Sequence, residues 1–175
     1  NNLTELLVRN NAGDGVHIAG DLDSNEFTDL TIEANTDNGV YVPDGQNFED
    51  NKIEGCRVSS NGVDGIRLGS NSDPEKVSGN EIKDNHIYDN GRDGIRLESD
   101  SFGHQVSNHI YGNTIEDNEE YEIFFATRDS LSNNFDNNKL NGVEYVHHFD
   151  QDNESITVDE NYDFDSYQRL TNYGG

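Results

Sequence analysis

Few residues of this sequence are basic, and two amino acids, methionine and tryptophan, are absent. Lysine and arginine together number 11 against 36 aspartate and glutamate residues, which gives a formal net charge of −25. This balance disfavours a nucleic-acid partner, because no basic patch is available to neutralise phosphates. No apolar run approaches the about 20 residues that span a membrane, so membrane insertion is not expected. The single cysteine, Cys56, excludes an internal disulfide framework, and the absence of methionine predicts a processed product or a fragment.

The hydrophobic content is also low, at 30% of the residues. Low hydrophobicity with high net charge is typical of disordered chains. Two observations argue against disorder here: proline occurs only twice, and the apolar residues recur at fixed places. A small core under an acidic surface indicates adaptation to very high salt, where the Debye length falls to about 3 Å. The alternative is an acidic secreted protein that binds Ca²⁺.

A repeat of asparagine and apolar residues runs through most of the chain. Consecutive units are 24 to 29 residues long, and the length varies only between the last apolar pair and the next unit. The unit that begins at Asn80 continues with Ile82, Asn85, Ile87, Asn90, Ile95 and Leu97. Units with the same offsets begin at Asn1, Asn25, Asn51, Asn108 and, with a later slip of register, Asn133.

This repeat predicts an all-β fold, a right-handed parallel β-helix of about six coils. Each unit holds three short strands with period-2 alternation, and stacking the units about 4.8 Å apart pairs each strand with its copies. The asparagines are expected at the bends, where their amides form an internal ladder. We expect the β-helix over residues 1–148 and an acidic cap or tail over 149–175. Glycines with positive φ are expected in the turns Asp14-Gly15, Asp64-Gly65 and Asp93-Gly94.

The segment NEIKDNHIYDNGRDGIRL, residues 80–97, resembles the repeats of the pectin-lyase-like superfamily. Within it, the repeats are similar to those of mannuronan C5-epimerases and related secreted β-helix proteins. The resemblance implies the fold over about residues 1–145, and the fold hosts lyases, hydrolases, epimerases, tailspikes and stalks. In the epimerases the third strand carries an Asp-Pro-His motif and the catalytic residues. Here the aligned positions read Ile-Arg-Leu-Gly at 66–69 and Ile-Arg-Leu-Glu at 95–98.

Outward residues of the third strand are expected to stack into one row. We call this the third-strand row, and its members are His17, Tyr41, Arg67, Arg96 and Phe124. His17 or Tyr41 is a suitable base for removing the proton next to a uronate carboxylate. Arg67 and Arg96 can hold that carboxylate, so these four residues are the candidate catalytic set.

Other residues are candidate binding groups beside this set. They are Phe124 within the row and the flanking acids Asp64, Asp93 and Glu98. The competing interpretation is that Arg67 and Arg96 merely pair with these three acids. Reprotonation of the uronate on its other face would make an epimerase, and loss of its 4-O substituent a lyase. Hydrolysis by a carboxylate pair is less favoured, because the row itself contains none.

Weaker patterns are interpreted as ordinary surface or core. Cys56 replaces an inward asparagine and is expected to be inert. A calcium site in the tail is possible, although Phe164 stands where an EF-hand needs glycine, and no other metal or cofactor is predicted. The remaining patterns are the pairs His86/Tyr88 and His109/Tyr111, the dipeptide His147-His148, and the tail series Asp159, Asn161, Asp163 and Asp165.

The sequence thus favours an extracellular or cell-surface β-helix that binds or processes polysaccharide, with lyase or epimerase chemistry on acidic glycans if it is an enzyme. The alternative is a non-catalytic structural or adhesive module, such as a viral tailspike, a cell-surface stalk or an adhesin. A copper-maturation role lacks the methionine and the Cys/His cluster that copper requires. The uncapped first coil predicts either a homo-oligomer or the remainder of a longer β-helix at that end.

Overall fold

A computed structural model describes residues 1–69, 77–98, 107–124 and 134–141 in full. It also describes the backbone of 125–126, 144–149, 157–159, 161–163 and 169–170.

The first three units each form four short strands. The first coil contains β1 (Asn2–Thr4), β2 (Leu7–Arg9), β3 (Val16–His17) and β4 (Leu22–Asp23). The second contains β5 (Glu26–Thr28), β6 (Thr31–Glu33), β7 (Val40–Val42) and β8 (Phe48–Glu49). The third contains β9 (Lys52–Glu54), β10 (Arg57–Ser59), β11 (Ile66–Leu68) and β12 (Val77–Ser78).

The later units follow the same order with three described strands each. The fourth contains β13 (Glu81–Lys83), β14 (His86–Tyr88) and β15 (Ile95–Glu98). The fifth contains β16 (His109–Tyr111), β17 (Thr114–Glu116) and β18 (Tyr121–Ala126). Beyond them lie β19 (Asn134–Asp136), β20 (Lys139–Asn141), β21 (Glu144–Phe149), β22 (Thr157–Asp159), β23 (Asn161–Asp163) and β24 (Arg169–Leu170).

Strands from successive coils pair into four sheets. Three of these sheets have seven, eight and six strands, beginning with β1, β2 and β3, and a three-stranded sheet joins β4, β8 and β12. Pairing is parallel and follows the predicted offsets, so that Ile53 lies opposite Phe27 on one side and Ile82 on the other. Among the described strands, β23 and β24 form the one antiparallel pair. The predicted all-β, right-handed parallel β-helix is therefore confirmed.

The three-stranded sheet was not predicted, because its two-residue strands fall in the part of the unit whose length varies. Its inward side chains still add to the core: Phe48 and Val77 are fully buried, and Leu22 packs against the buried cluster. The rest of that core is formed by the inward residues of the other sheets, together with Ile18, Leu30 and Cys56 just outside the strands. Each such aliphatic side chain stabilises the fold by about 1.5–3 kcal/mol on burial.

Three columns of asparagines run through the bends, as predicted. The third of these, which we call the amide column, consists of Asn11, Asn35, Asn61, Asn90 and Asn118. In it, Oδ1 of Asn90 accepts the backbone N–H and the side-chain Nδ2 of Asn61, at 3.2 and 3.0 Å. The Asn90 Nδ2 then donates to Oδ1 of Asn118 at 2.9 Å, so the same hydrogen bond recurs between successive coils. In a neighbouring column Cys56 takes an asparagine's place, buried and with its backbone N–H bonded to Asn85 Oδ1 at 2.8 Å.

Many of the column asparagines follow a residue with positive φ, which makes the bend. Ser24, Asp84 and Asp89 illustrate this, with φ of 55°, 55° and 53° immediately before an asparagine. The prediction of positive φ at the Asp-Gly glycines is wrong, because Gly65 and its equivalents are absent from the positive-φ residues. Gly65 is needed for a different reason: a Cβ there would lie 2.6 Å from the carbonyl oxygen of Gly94 in the next coil. Glycine at this position allows close stacking of the coils.

At another bend, aspartate and glycine face each other across adjacent coils. Gly55 and Gly112 have positive φ, of 63° and 67°. A Cβ on Gly55 would lie 2.6 Å from Oδ1 of Asp29, and one on Gly112 would lie 2.5 Å from Oδ1 of Asp84. The aspartate of one coil thus occupies the space beside the equivalent residue of the following coil.

The N-terminal coil leaves apolar side chains in contact with solvent. Leu3 and Leu6, at inward positions, are exposed there, as is Leu7 at an outward position, whereas the described inward positions of later coils are buried. The predicted oligomer or longer β-helix at this end remains a prediction. Within the described ranges no helix has the length and apolar character needed to cross a membrane.

Candidate functional site

The third-strand row forms in the predicted register. His17 lies opposite Tyr41, Tyr41 opposite Arg67, Arg67 opposite Arg96, and Arg96 opposite Phe124. All five residues alternate with inward apolar neighbours on β3, β7, β11, β15 and β18, which is why their side chains share the outer face of one sheet. The stacking of the row is confirmed, while the catalytic role of its members remains a prediction.

Rings and guanidinium groups contact one another along this row. The His17 and Tyr41 ring centroids are 5.3 Å apart in an edge-on arrangement. The guanidinium carbon of Arg67 lies 5.0 Å from the centre of the Tyr41 ring, and that of Arg96 lies 3.9 Å from the centre of the Phe124 ring. Such cation–π contacts hold the long arginine side chains flat against the sheet.

A carboxylate orients His17. Its Nδ1 lies 2.7 Å from Oδ2 of Asp14, which precedes the strand by two residues, while the His17 side chain remains 48% exposed. This arrangement leaves the other side of the imidazole open to solvent and suits a general base. Burial raises the pKa of Tyr41, and the nearby Arg67 charge offsets this only in part. A raised pKa makes the Tyr41 phenol less able to ionise at neutral pH, so His17 is the better candidate.

Both arginines of the row already bind carboxylates. Arg67 donates to Oε2 of Glu98 through Nε at 2.9 Å and also through Nη2. Arg96 donates from Nε to Oε1 of Glu98 and from Nη1 to Oδ2 of Asp93, each at 2.6 Å. Burial alone would raise the pKa of Glu98, but Arg96 and Arg67 outweigh that effect and lower it. The pairing considered as the competing interpretation is thus present.

Beneath the row lies a second column, which we call the acidic column: Asp14, Asn38, Asp64 and Asp93. A side-chain oxygen of each member accepts the backbone N–H of the equivalent residue in the following coil. The donors are Asn38 to Asp14 at 3.0 Å, Asp64 to Asn38 at 3.2 Å, Asp93 to Asp64 at 3.2 Å and Tyr121 to Asp93 at 3.1 Å. Asp64 and Asp93 are completely buried. Only the arginines that bind them, Arg92 and Arg96, are partly exposed. The role of the two aspartates as ligand contacts remains a prediction.

Arg92 also belongs to this region, although no sequence motif singles it out. It donates from Nε to Oδ1 of Asp64 at 2.7 Å and from Nη2 to Oδ2. Burial raises the pKa of Asp93 to about 6, although the hydrogen bond from Arg96 acts to lower it. The only sequence signal for Arg92 is its place immediately before Asp93, one coil after Asp64.

The paired histidines and tyrosines lie on two sheets, as expected. His86 Nε2 is 2.6 Å from Glu116 Oε1, and His109 Nε2 is 2.8 Å from Asp136 Oδ2. Their partners belong to the next coil, so these pairs join adjacent coils at the surface.

The metal-site predictions fall largely outside the described side chains. His147 and His148 lie in β21 and Asp159, Asn161 and Asp163 in β22 and β23, where only the backbone is described, and Asp165 lies outside the described residues. Among the residues described in full, no group of three or more His, Cys, Asp or Glu is placed to hold a metal ion. The calcium ion remains a prediction.

A family model for the right-handed β-helix region matches residues 1–140 and, in a second overlapping alignment, 75–162. The chain belongs to this right-handed β-helix family. Two solved structures are similar to this β-helix, both from Azotobacter vinelandii. The mannuronan C-5 epimerase AlgE6 A-module is 15% identical, with a TM-score of 0.50, and the match covers 93% of this chain and 57% of the A-module. The corresponding AlgE4 A-module is 16% identical, with a TM-score of 0.51, covering 90% and 57%.

These likenesses establish the fold of the β-helix and leave its activity open. The chain spans less than two thirds of either A-module, at 57%. No curated protein matches its sequence. The resemblance in fold to the epimerases is confirmed, and the function must be argued from the site.

Proposed function

We propose that this β-helix binds polysaccharide along the third-strand row, outside the cell or at its surface. The observation that supports the proposal most is the continuous outer face on which His17, Tyr41, Arg67, Arg96 and Phe124 lie in register. Successive members rise by about 4.8 Å per coil, so the row is an extended, evenly spaced surface. Aromatic faces and guanidinium groups on such a surface can contact successive rings of an extended glycan.

The comparisons support a polysaccharide as the ligand class. The similar A-modules are named as epimerases of mannuronan, which is a polysaccharide. Because the sequence identity is low, the likeness supports a glycan as the ligand but does not indicate which glycan.

A matched pair of tyrosines tests the surface. Tyr41 and Tyr88 each have an arginine 5.0 Å from the ring centre, but Tyr41 belongs to the row and Tyr88 to another sheet. Affinity electrophoresis through gels containing a panel of polysaccharides should show weaker retention of Tyr41→Ala, by about tenfold or more in Kd, with Tyr88→Ala unchanged. Retention on no glycan would contradict the proposal and favour the structural or adhesive module.

A second candidate, lyase or epimerase activity, is favoured by the His17–Asp14 contact of 2.7 Å. His17 would take the proton from the carbon next to a uronate carboxylate. In a lyase the electron pair then forms a carbon–carbon double bond while the bond to the 4-O substituent breaks. In an epimerase a proton returns to the same carbon from its other face.

This chemistry is tested by incubating the protein with acidic polysaccharides in salt of about 1 M, where the Debye length is about 3 Å. A lyase would raise the ultraviolet absorbance of unsaturated uronates, and an epimerase would exchange the proton with deuterated water. Either signal should disappear in His17→Ala. Absence of both signals in the unmodified protein would leave a binding module.

A further inference from the structure

We infer that Glu98 determines the charge class of the glycan: it takes the place of a ligand carboxylate, so the third-strand row selects neutral sugars and rejects uronates. The inference rests on the polysaccharide binding proposed above and specifies its ligand. It also disfavours the lyase and epimerase chemistry, which needs cations available to a uronate.

The geometry around Glu98 is that of a bound carboxylate. One oxygen accepts Arg96 Nε at 2.6 Å, and the other accepts Arg67 Nε at 2.9 Å together with Arg67 Nη2. Arg96 places a second nitrogen, Nη1, 2.6 Å from Asp93. Charge-assisted bonds of this kind are the strongest interactions that a guanidinium forms with a carboxylate. Both arginines therefore direct their strongest bonds to acids of the protein itself.

Displacing Glu98 would be unfavourable. The three side chains are mostly covered, with exposed fractions of 20% for Glu98, 24% for Arg67 and 15% for Arg96. A uronate that captured these arginines would take both of them from the largely buried Glu98 carboxylate, and separating a buried charge from its ion-pair partners is destabilising. The lowered pKa of Glu98 means that it stays ionised and keeps this position.

The charges of the surrounding region point the same way. Among the described residues of this region, three arginines face four carboxylates, and the members are Arg67, Arg92 and Arg96 with Asp14, Asp64, Asp93 and Glu98. Within the described part of the chain these side chains therefore carry no excess of positive charge for an anionic ligand. The chain as a whole carries −25, which adds long-range repulsion of a polyanion at ordinary salt.

A neutral sugar meets none of these obstacles. Its hydroxyl groups can donate to carboxylate oxygens at the edge of the row, and its apolar ring face can pack on Tyr41 or Phe124. The same groups that oppose a uronate are therefore suitable for a neutral ring.

The test compares polysaccharides that differ only in the carboxylate. Polymannuronate, polygalacturonate and hyaluronan are each used beside their carboxyl-reduced forms, and Kd is measured by affinity electrophoresis in about 1 M NaCl to suppress long-range repulsion. We expect the unmodified protein to prefer at least one reduced form over its acidic parent by about tenfold or more. Preference for an acidic parent would overturn the inference while leaving polysaccharide binding intact.

A matched pair of variants then assigns the selectivity. Glu98→Gln should gain about tenfold or more in affinity for the acidic forms, because two cations lose their internal partner. The control is Glu54→Gln, since Glu54 also pairs with two cations, Lys52 and Lys83, but on another sheet. An equal gain in both variants would show general charge repulsion instead and would refute the role of Glu98. Retention of none of the six polysaccharides would refute the polysaccharide binding itself.

Discussion

The amide column and the acidic column run through the same coils but satisfy their buried groups in different ways. In the amide column each side chain from Asn35 to Asn118 both donates and accepts, so Asn90 bonds Asn61 on one side and Asn118 on the other without a partner from outside the column. In the acidic column Asp64 and Asp93 can only accept. Each therefore recruits a guanidinium from the surface, Arg92 for Asp64 and Arg96 for Asp93.

The difference shows how buried polar groups influence which charged side chains lie at the surface of this fold. An amide ladder is self-sufficient and remains internal, whereas a carboxylate ladder requires cations and so determines where arginines lie. Two of the arginines near the third-strand row are positioned in this way. The charge pattern of the candidate site is thus in part a consequence of the column beneath it.

The end of the amide column gives an intermediate case. After Asn118 the next polar group is the carboxyl of Glu122, which accepts from Asn118 Nδ2. Glu122 is completely buried, and among the described residues its Oε1 has no hydrogen-bond partner. Burial raises the pKa of Glu122 to about 8, against about 6 for Asp93, which has Arg96 beside it.

Breaking the amide column should have the largest effect. Asn90→Leu removes the acceptor of two Asn61 donors and a donor to Asn118, and each buried group left without a partner costs about 1–3 kcal/mol. We expect a loss of about 3 kcal/mol or more in the free energy of unfolding by urea. Asn2→Leu, at an exposed asparagine, is the control and should change stability by less than about 0.5 kcal/mol. Equal losses of unfolding free energy in the two variants would show that the hydrogen bonds of the amide column do not add to stability.

Removing the charge at the end of the amide column should have the next largest effect. The folded pKa of Glu122, about 8, exceeds the usual value of about 4.3, so the folded state holds a proton that the unfolded state releases. Stability should therefore fall as the pH rises between these two values and through about 8. Glu122→Gln should abolish this part of the loss and be more stable than the unmodified protein by about 2 kcal/mol or more at about pH 9.

Urea midpoints at about pH 5, 7 and 9 measure this effect. Asp93, with a pKa of about 6, lowers the stability in the same direction but over a narrower and lower pH range, and should do so in both proteins. A Gln variant with an unchanged slope above about pH 7 would exclude Glu122 as the titrating group.

Depriving the acidic column of one cation should have the smallest effect. The Arg92 side chain is 26% exposed, so water can partly replace it, and glutamine keeps an N–H donor near Asp64; Arg92→Gln is therefore expected to cost only about 1–2 kcal/mol. Combining Asp64→Asn with Arg92→Gln replaces the carboxylate at this position of the acidic column by an amide. The double variant should recover most of the stability that Arg92→Gln loses. A double-mutant cycle on the urea midpoints gives the coupling energy. Full additivity would mean that the acid does not depend on its arginine.

Much of this architecture could be predicted because inward residues must recur at fixed offsets when coils stack. The same offsets predict, from the sequence alone, that Arg67 lies beside Arg96 and Tyr41 beside Arg67. The positive-φ positions also recur at a fixed offset, immediately before a column position, but their backbone conformation could not be predicted, since Ser24, Ala34 and Asp84 share no residue type. Nor could the sequence decide between a free arginine row and an ion-paired one. That depends on side-chain conformations that bring Glu98 to Arg67 across 31 positions of the chain.

The pairing of aspartate with glycine at one bend bears on how such a chain can lengthen or shorten. Asp29 lies beside Gly55 and Asp84 beside Gly112, so here glycine in the following coil leaves the aspartate side chain in place, whereas a larger residue would have to displace it. Deleting the single coil 51–79 would place Asp84 against Asp29, whereas a duplication of two adjacent coils would preserve the alternation. At this bend the unit that recombination can copy without displacing an aspartate side chain is therefore a pair of coils, about twice the repeat seen in the sequence.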